Sequence, residues 1–101
     1  MAQHYDLIAI GGGSGGLSVV EQAARHGARC AVIEARRLGG ACVNVGCVPK
    51  KVMWYAANLA HALDDAAGYG FKLDYFGFDW QKLKTARDHF VSTISEWYLG
   101  Y

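Results

Sequence analysis

This sequence has little proline, almost no excess of one charge over the other, and no long apolar run. One proline among 101 residues leaves no proline-rich linker, and 10 basic against 9 acidic side chains give a net charge of +1. A near-neutral chain has no broad basic surface for nucleic acid, and no apolar run approaches the roughly 20 residues that cross a bilayer. The amino terminus also lacks the basic and apolar segments of a signal peptide. We therefore expect a cytoplasmic protein with no nucleic-acid or membrane partner.

Cysteine is sparse as well, with three residues in the whole chain. An odd number in a reducing compartment argues against a framework of structural disulfides, and a close pair there is more often catalytic or metal-binding. Cys42 and Cys47 form such a pair, whereas Cys30 falls in an apolar run and is predicted to be a packing residue. The chain as a whole is 52% hydrophobic and 19% charged, which is typical of one soluble globular domain.

The first third of the chain has the pattern of a strand, a helix and a second strand. Residues 7–10 are a short apolar run of the kind found in buried parallel strands, and residues 17–26 carry apolar side chains at helical spacing before Gly27. Residues 29–34 form a second apolar run that ends in an acid. Three such elements within 30 residues predict a right-handed βαβ unit with a parallel sheet.

A glycine-rich loop joins the first strand to the helix and fits a dinucleotide site. Three glycines occupy the fixed places of the G-x-G-x-x-G pattern, where they allow a tight turn, close approach to a pyrophosphate and close packing of helix on strand. An acid at the end of the second strand can accept hydrogen bonds from a ribose and disfavours a 2′-phosphate. The pattern alone leaves FAD and NAD(H) open. The predicted cofactor-binding residues are Gly11, Gly13, Ser14, Gly15, Gly16 and Glu34.

The cysteine pair favours flavin, because a redox-active dithiol so close to the loop has no role in a plain nicotinamide dehydrogenase. The alanine- and leucine-rich residues 52–67 predict that the pair lies in the first turns of a helix, where the macrodipole stabilises a thiolate. Two residues five apart rise about 7.5 Å along a regular helix, beyond the roughly 4.4–6.8 Å that a disulfide tolerates between Cα atoms. The helix must therefore be distorted, and Gly46 and Pro49 permit this.

Zinc is the alternative for the cysteine pair. The spacing of Cys42 and Cys47 is compatible with a zinc site, but the four histidines are scattered and there is no second cysteine pair. We therefore predict no metal.

Residues 39–54, GGACVNVGCVPKKVMW, resemble the class I pyridine nucleotide-disulfide oxidoreductases, and within them the glutathione reductase group. The resemblance covers essentially the whole chain. It implies an α/β fold, a Rossmann-like FAD-binding domain with a parallel sheet, of which residues 1–101 are the amino-terminal part. It further implies a homodimer whose NADPH domain and dimer-interface domain lie outside this chain. The cofactors would be FAD and NADPH, and the chain alone would not turn over.

The resemblance also assigns roles to individual residues. Cys47 would form the charge-transfer thiolate against the flavin, Cys42 would attack the substrate disulfide, and Lys50 would lie near the flavin N5 edge. Ser14, Glu21 and Tyr98 match positions that line the substrate site. The cofactor set then extends to further residues, which are Gly40, Ala41, Cys42, Cys47 and Lys50.

Two departures from the family pattern bear on function. Ala41 replaces the usual threonine and removes a hydroxyl that could contact the cofactor. Glu21 stands where some members have arginine, and a lone acid there would repel a substrate carboxylate. We therefore expect NADPH-dependent reduction of glutathione disulfide, or of a close derivative with less negative charge such as an amide. The alternatives are dihydrolipoamide dehydrogenase, another flavoprotein disulfide reductase, and a non-catalytic truncated nucleotide-binding module.

The last third of the chain is predicted to form a second long helix. Residues 72–78 form an aromatic connector with room for a short extended stretch, and Asp79 is a predicted N-cap. Apolar side chains then recur at helical spacing up to Gly100.

Overall fold

The computed structural model describes residues 2–101. It begins with the predicted βαβ unit, in which strand β1 (Leu7–Ile10), helix α1 (Ser14–Arg25) and strand β2 (Cys30–Ile33) follow one another. The strands pair in parallel, with Leu7 opposite Cys30 and Ile10 opposite Ile33. The predicted α/β fold class is confirmed. Helix α1 begins at Ser14, three residues earlier than the apolar spacing indicated, because the glycines of the loop supply its first turn.

The sheet is covered on one face only. Ile8 and Ile10 are 50% and 88% exposed, whereas Leu7 and Ala9, which alternate with them, are half-buried against α1. The prediction of fully buried strands was therefore wrong for one face. The apolar residues were identified correctly, but a parallel sheet needs a layer on each face, and residues 2–101 provide one layer. Cys30 is accordingly half-buried rather than enclosed.

A broken helix carries the cysteine pair. Helix α2 (Gly40–Val45) and helix α3 (Cys47–Asp65) are separated by one residue, Gly46. This residue has the non-helical angles φ −127° and ψ −113°. The predicted distortion is confirmed at Gly46. Pro49 lies in the first turn of α3 and does not interrupt it, since the amide of a residue in that turn has no intrahelical partner. The peptide N–H of Lys50 donates to the carbonyl of Gly46 at 3.0 Å.

The chain ends with a long helix that packs on α2 and α3. Helix α4 (Trp80–Trp97) is capped by Asp79, whose carboxylate accepts the Lys82 N–H at 3.0 Å, so the predicted cap is confirmed. Short 3₁₀ turns follow α3 at Ala66–Tyr69 and α4 at Tyr98–Gly100. The connector at residues 71–79 contains no strand in the structure.

Residues 2–101 form an elongated body of about 69 × 26 × 18 Å with a radius of gyration of 20.1 Å. A compact domain of this length has a radius near 13 Å. Val43 and Val91 are the buried hydrophobic residues in the described part of the chain. Residues 2–101 therefore enclose only a small core. Across the same range, no helix is both long enough and apolar enough to cross a membrane.

Candidate functional site

The glycine-rich loop brings β1 directly against the start of α1. Gly11 has φ +113° and donates its N–H to the carbonyl of Ile33 at 2.8 Å, which joins the end of β1 to the end of β2. Gly16 lies so close to Gly11 that a Cβ on it would stand 2.0 Å from the Gly11 carbonyl oxygen. Gly13 occupies the N-cap of α1 and provides no side-chain cap. The first-turn amides of α1 therefore have no side chain competing with a ligand at the N-cap.

Glu34 is fixed by the same loop. Its Oε2 accepts the Gly12 N–H at 2.8 Å, and a Cβ on Gly12 would stand 3.1 Å from the Glu34 Cβ. Because this hydrogen bond is donated by the backbone, the position of the carboxylate at the end of β2 is set by the loop. Gly12 was not singled out from the sequence, since the G-x-G-x-x-G pattern leaves that position free.

The cysteine helix packs on the loop through a contact between two glycines. A Cβ on Gly40, which has φ +66°, would stand 2.7 Å from the Cα of Gly13. The N–H of Gly39 also donates to the carbonyl of Gly12 at 2.8 Å. The first residues of α1 and α2 are therefore in direct contact, which places Cys42 beside the glycine loop.

Asn44 and helix α4 hold the segment that leads into α2. The side-chain amide of Asn44 donates to the carbonyls of Leu38 at 3.2 Å and Gly40 at 2.9 Å, while its buried Oδ1 has no hydrogen-bond donor within residues 2–101. The Leu38 carbonyl also accepts from the Ser95 hydroxyl of α4 at 2.8 Å. None of these anchors was predicted, and the one from Ser95 joins residues 57 positions apart in sequence.

Cys42 and Cys47 are both free thiols, and they interact with each other across the break at Gly46. Cys42 is half-buried and Cys47 is exposed. A hydrogen bond from the Cys47 side chain is the largest factor that lowers the pKa of Cys42, and the Ser14 hydroxyl and the Lys51 charge act in the same direction. The same thiol pairing raises the pKa of Cys47, against a smaller lowering by Lys50. Cys42 is therefore the sulfur that becomes the thiolate first.

This order of ionisation predicts the pH dependence of alkylation. The reduced chain, treated with iodoacetamide and analysed by peptide mass spectrometry, should label Cys42 at a lower pH than Cys47, although Cys47 is more exposed, because the thiolate is the reactive form. In the Cys47→Ala variant the alkylation midpoint of Cys42 should move to higher pH, since the hydrogen bond that stabilises its thiolate is lost. Cys47→Ser, which retains a donor, should move it less. Equal midpoints for the two wild-type thiols would contradict the assignment.

A comparison with protein-family models matches residues 5–96 to the pyridine nucleotide-disulphide oxidoreductase family. The chain belongs to this family. Three curated relatives, each named glutathione reductase, are similar to it. The protein of Yarrowia lipolytica is 49% identical over 96 residues, that of Schizosaccharomyces pombe 48% over 93 and that of Debaryomyces hansenii 46% over 98. Each match covers 90–91% of this chain and 20% of the relative, so the chain spans about a fifth of their length.

In this pyridine nucleotide-disulphide oxidoreductase, the structure brings most of the predicted cofactor residues into one region. The glycine loop, the end of β2 and the start of α2 meet there, while Cys47 and Lys50 follow on the first turn of α3. The residues that share this region are Gly11, Gly13, Ser14, Gly15, Gly16, Glu34, Gly40, Ala41 and Cys42. Their roles toward a cofactor stay predictions.

The three predicted substrate residues divide between two places in the oxidoreductase chain. Ser14 lies beside Cys42 and forms a hydrogen bond that favours its thiolate. Glu21 and Tyr98 line a cavity of about 520 Å³ between α1, β2 and the turn after α4. Arg25 and Tyr101 line the same cavity and were not predicted. The spacing of Glu21 and Arg25, one helical turn apart, is the sequence signal that could have identified Arg25.

Glu21 is not an isolated acid, in contrast to the expectation from the sequence. Its carboxylate forms a salt bridge with Arg25. The pKa of the Tyr101 phenol is raised, first by a hydrogen bond with Glu21 and then by burial, so Tyr101 also contacts this carboxylate. The negative charge at position 21 is thus offset within the chain.

The zinc alternative finds no support in the geometry. Within the described range of this family member, no three His, Cys, Asp or Glu side chains are close enough together to hold a metal ion. Cys42 and Cys47 have each other, Ser14 and two lysines as their neighbours.

Proposed function

We propose that this chain is the amino-terminal part of the FAD-binding domain of an NADPH-dependent flavoenzyme that reduces glutathione disulfide or a close glutathione derivative. The observation that carries the proposal is the interacting thiol pair Cys42 and Cys47, which lies where α2 packs on the glycine loop. The glutathione reductases that match 90–91% of the chain support the same substrate class.

The residues present fit a flavin dinucleotide. The uncapped first turn of α1, together with Gly13, leaves peptide N–H groups for a pyrophosphate. Ala41, at the start of α2, offers no hydroxyl to the cofactor. The Glu34 carboxylate, held by Gly12, can accept from a ribose hydroxyl. Cys47 and Lys50, on the exposed first turn of α3, would lie toward the redox-active ring. When bound, the flavin supplies the two electrons that keep Cys42 and Cys47 reduced.

The two cysteines then perform thiol-disulfide exchange. The Cys42 thiolate attacks one sulfur of the substrate disulfide, forms a mixed disulfide and releases the first thiol product. Cys47 loses its proton and attacks the Cys42 sulfur, which forms the Cys42–Cys47 disulfide and releases the second thiol. One substrate disulfide becomes two thiols while the dithiol is oxidised. The lowered pKa of Cys42 supports its role as the attacking sulfur.

The exposed surfaces of the chain support a larger protein around it. One face of the sheet is uncovered, with Ile10 at 88% and Ile33 at 57% exposure, and a parallel sheet is normally covered on both faces. The relatives are about five times longer than the segment they share with this chain. We propose that the rest of the FAD domain, an NADPH domain and the interface of a homodimer are provided by sequence outside residues 1–101.

The test is the flavin chemistry of the protein made from the complete reading frame. We expect stoichiometric FAD, a long-wavelength absorption band after two-electron reduction, and NADPH-dependent turnover of glutathione disulfide at least tenfold faster than of lipoamide or mercuric ion. Bound FAD without that band would instead favour a non-catalytic nucleotide-binding module. Stoichiometric zinc with no visible absorption would contradict the proposal entirely.

A further inference from the structure

The cavity beside α1 contains a cation that the family resemblance did not assign. Its walls are mainly apolar side chains of α1 and β2, and its polar groups are Glu21, Arg25, Tyr98 and Tyr101. The guanidinium of Arg25 donates through Nη2 to Oε1 of Glu21, and the two side chains are 66% and 31% exposed. A guanidinium carries five N–H donors in a rigid fork. One nitrogen is used by Glu21, so most of the fork remains available to a ligand in the cavity.

We propose that Arg25 receives a free carboxylate of the disulfide substrate, and that Glu21 is the positioning residue that holds the guanidinium at the mouth of the cavity. This inference rests on the proposed disulfide reductase function. It makes Arg25 a specificity-determining residue, one helical turn after the position where some family members have arginine. Tyr101 lines the same cavity beside this pair.

The cavity is within reach of the reactive sulfur. Ser14 is beside Cys42, and at 100° per residue positions 21 and 25 lie within about 20° of the direction of position 14 on the helix. Along α1 they are about 10 Å and 16 Å from Ser14, at 1.5 Å per residue. An extended tripeptide spans about 10 Å, so about half of that length separates a sulfur-bearing middle residue from a terminal carboxylate, and the long Arg25 side chain covers much of the remaining distance by tilting back toward the start of the helix. A peptide joined to Cys42 through sulfur can therefore bring a carboxylate to Arg25.

The charges decide what the cavity selects. A lone acid at position 21 would repel a carboxylate, but the Glu21–Arg25 pair is neutral as a whole and exposes its cationic member more than its anionic one. A planar carboxylate can accept two parallel N–H donors from the remaining fork. Because the site is partly open to solvent, we expect this contact to account for about a tenfold difference in affinity.

The experiment compares two substrates in the protein made from the complete reading frame. One substrate is glutathione disulfide, and the other is the same disulfide with both glycine carboxyls converted to amides. Arg25→Gln should raise KM for glutathione disulfide about tenfold and leave kcat unchanged, because the contact is equal in ground and transition states. The same variant should change KM for the amide less than twofold, within the scatter expected when no charge pair is lost.

Three further variants separate recognition from structure. Arg25→Lys keeps the charge but loses the fork, so its KM should lie between wild type and Arg25→Gln. The double variant Glu21→Arg with Arg25→Glu returns a cation to the cavity and should restore most of the affinity. Arg87→Gln is the matched control, since Arg87 pairs with Asp88 on α4 and does not line the cavity.

The outcomes distinguish this inference from the proposed function. An equal KM increase for both substrates, no increase, or a wild-type preference for the amide would each overturn the role of Arg25. If no disulfide is turned over, the proposed function fails, and calorimetric binding of oxidised glutathione to wild type and Arg25→Gln decides the inference. Weaker binding by the variant supports it, while equal binding or none overturns it.

Discussion

Gly16→Ala is expected to destabilise the protein by about 3 kcal/mol or more and to abolish the proposed binding of FAD. The added Cβ would stand 2.0 Å from the Gly11 carbonyl oxygen and 3.5 Å from the Ala9 Cβ. Overpacking typically costs 1–3 kcal/mol when side chains can adjust, but here the obstructing atom is backbone in the loop itself. Helix α1 must therefore move away from β1, which separates its first turn from Glu34 and Gly40.

Gly15→Ala is the matched control for the stability part of this prediction, because Gly15 itself belongs to the predicted cofactor-binding set. No atom lies within 4 Å of a Cβ at position 15, which is also in the first turn of α1. Alanine favours a helix over glycine by up to about 1 kcal/mol, so this variant should be as stable as wild type or slightly more stable. Thermal unfolding and the flavin-to-protein ratio after purification measure both effects. Equal stability of the two alanine variants would show that the close contact at Gly16 does not constrain the loop.

Features that depend on a few adjacent residues could be predicted from the sequence. The tight approach at Gly16 follows from a spacing pattern, because close packing of helix on strand excludes a Cβ wherever the pattern occurs. The break at Gly46 followed from geometry, since a regular helix holds Cys42 and Cys47 too far apart for a disulfide. In both cases the physical constraint acts within about six residues.

Features that depend on distant residues could not be predicted in the same way. The hydrogen bond from Gly12 to Glu34 joins positions 22 residues apart, and Ser95 reaches Leu38 across 57 residues. Burial of the strands was predicted from their apolar residues. Apolar residues favour burial, but they do not identify the element that covers them. Ile10 accordingly has an apolar side chain and 88% exposure.

Glu21 illustrates the same difference for charge. Considered alone, a glutamate at a position where some family members have arginine predicts repulsion of a substrate carboxylate. In the structure its carboxylate is paired with Arg25 and contacts Tyr101, so the local charge depends on three residues from α1 and the end of the chain. The sequence indicated an isolated acid at this position, while the structure pairs that acid with a cation that is more exposed to solvent.

Removing one cysteine at a time should separate the two sulfurs by their reactions with glutathione disulfide. In a Cys30→Ala background, which removes the third thiol, Cys47→Ala should accumulate a stable mixed disulfide at Cys42, because no second thiol can resolve it. Cys42→Ala should form a mixed disulfide at Cys47 at least tenfold more slowly at pH 7, since the Ser14 hydroxyl and the Lys51 charge, which help to lower the pKa of Cys42, are not among the groups that lower the pKa of Cys47. The protein with both cysteines should form the internal disulfide and release both thiols.

Mass spectrometry of the quenched reaction distinguishes these three products. The expected asymmetry is a result of the fold, because the break at Gly46 brings the Cys47 side chain to the Cys42 sulfur and Ser14 adds a second side-chain donor there. Each single variant should also lower catalytic turnover of the proposed complete flavoenzyme by at least a thousandfold, as is usual when one member of a reactive pair is lost. Faster modification of Cys47 than of Cys42 would reverse the assigned roles, and would place the substrate on the exposed side of α3 instead of along α1.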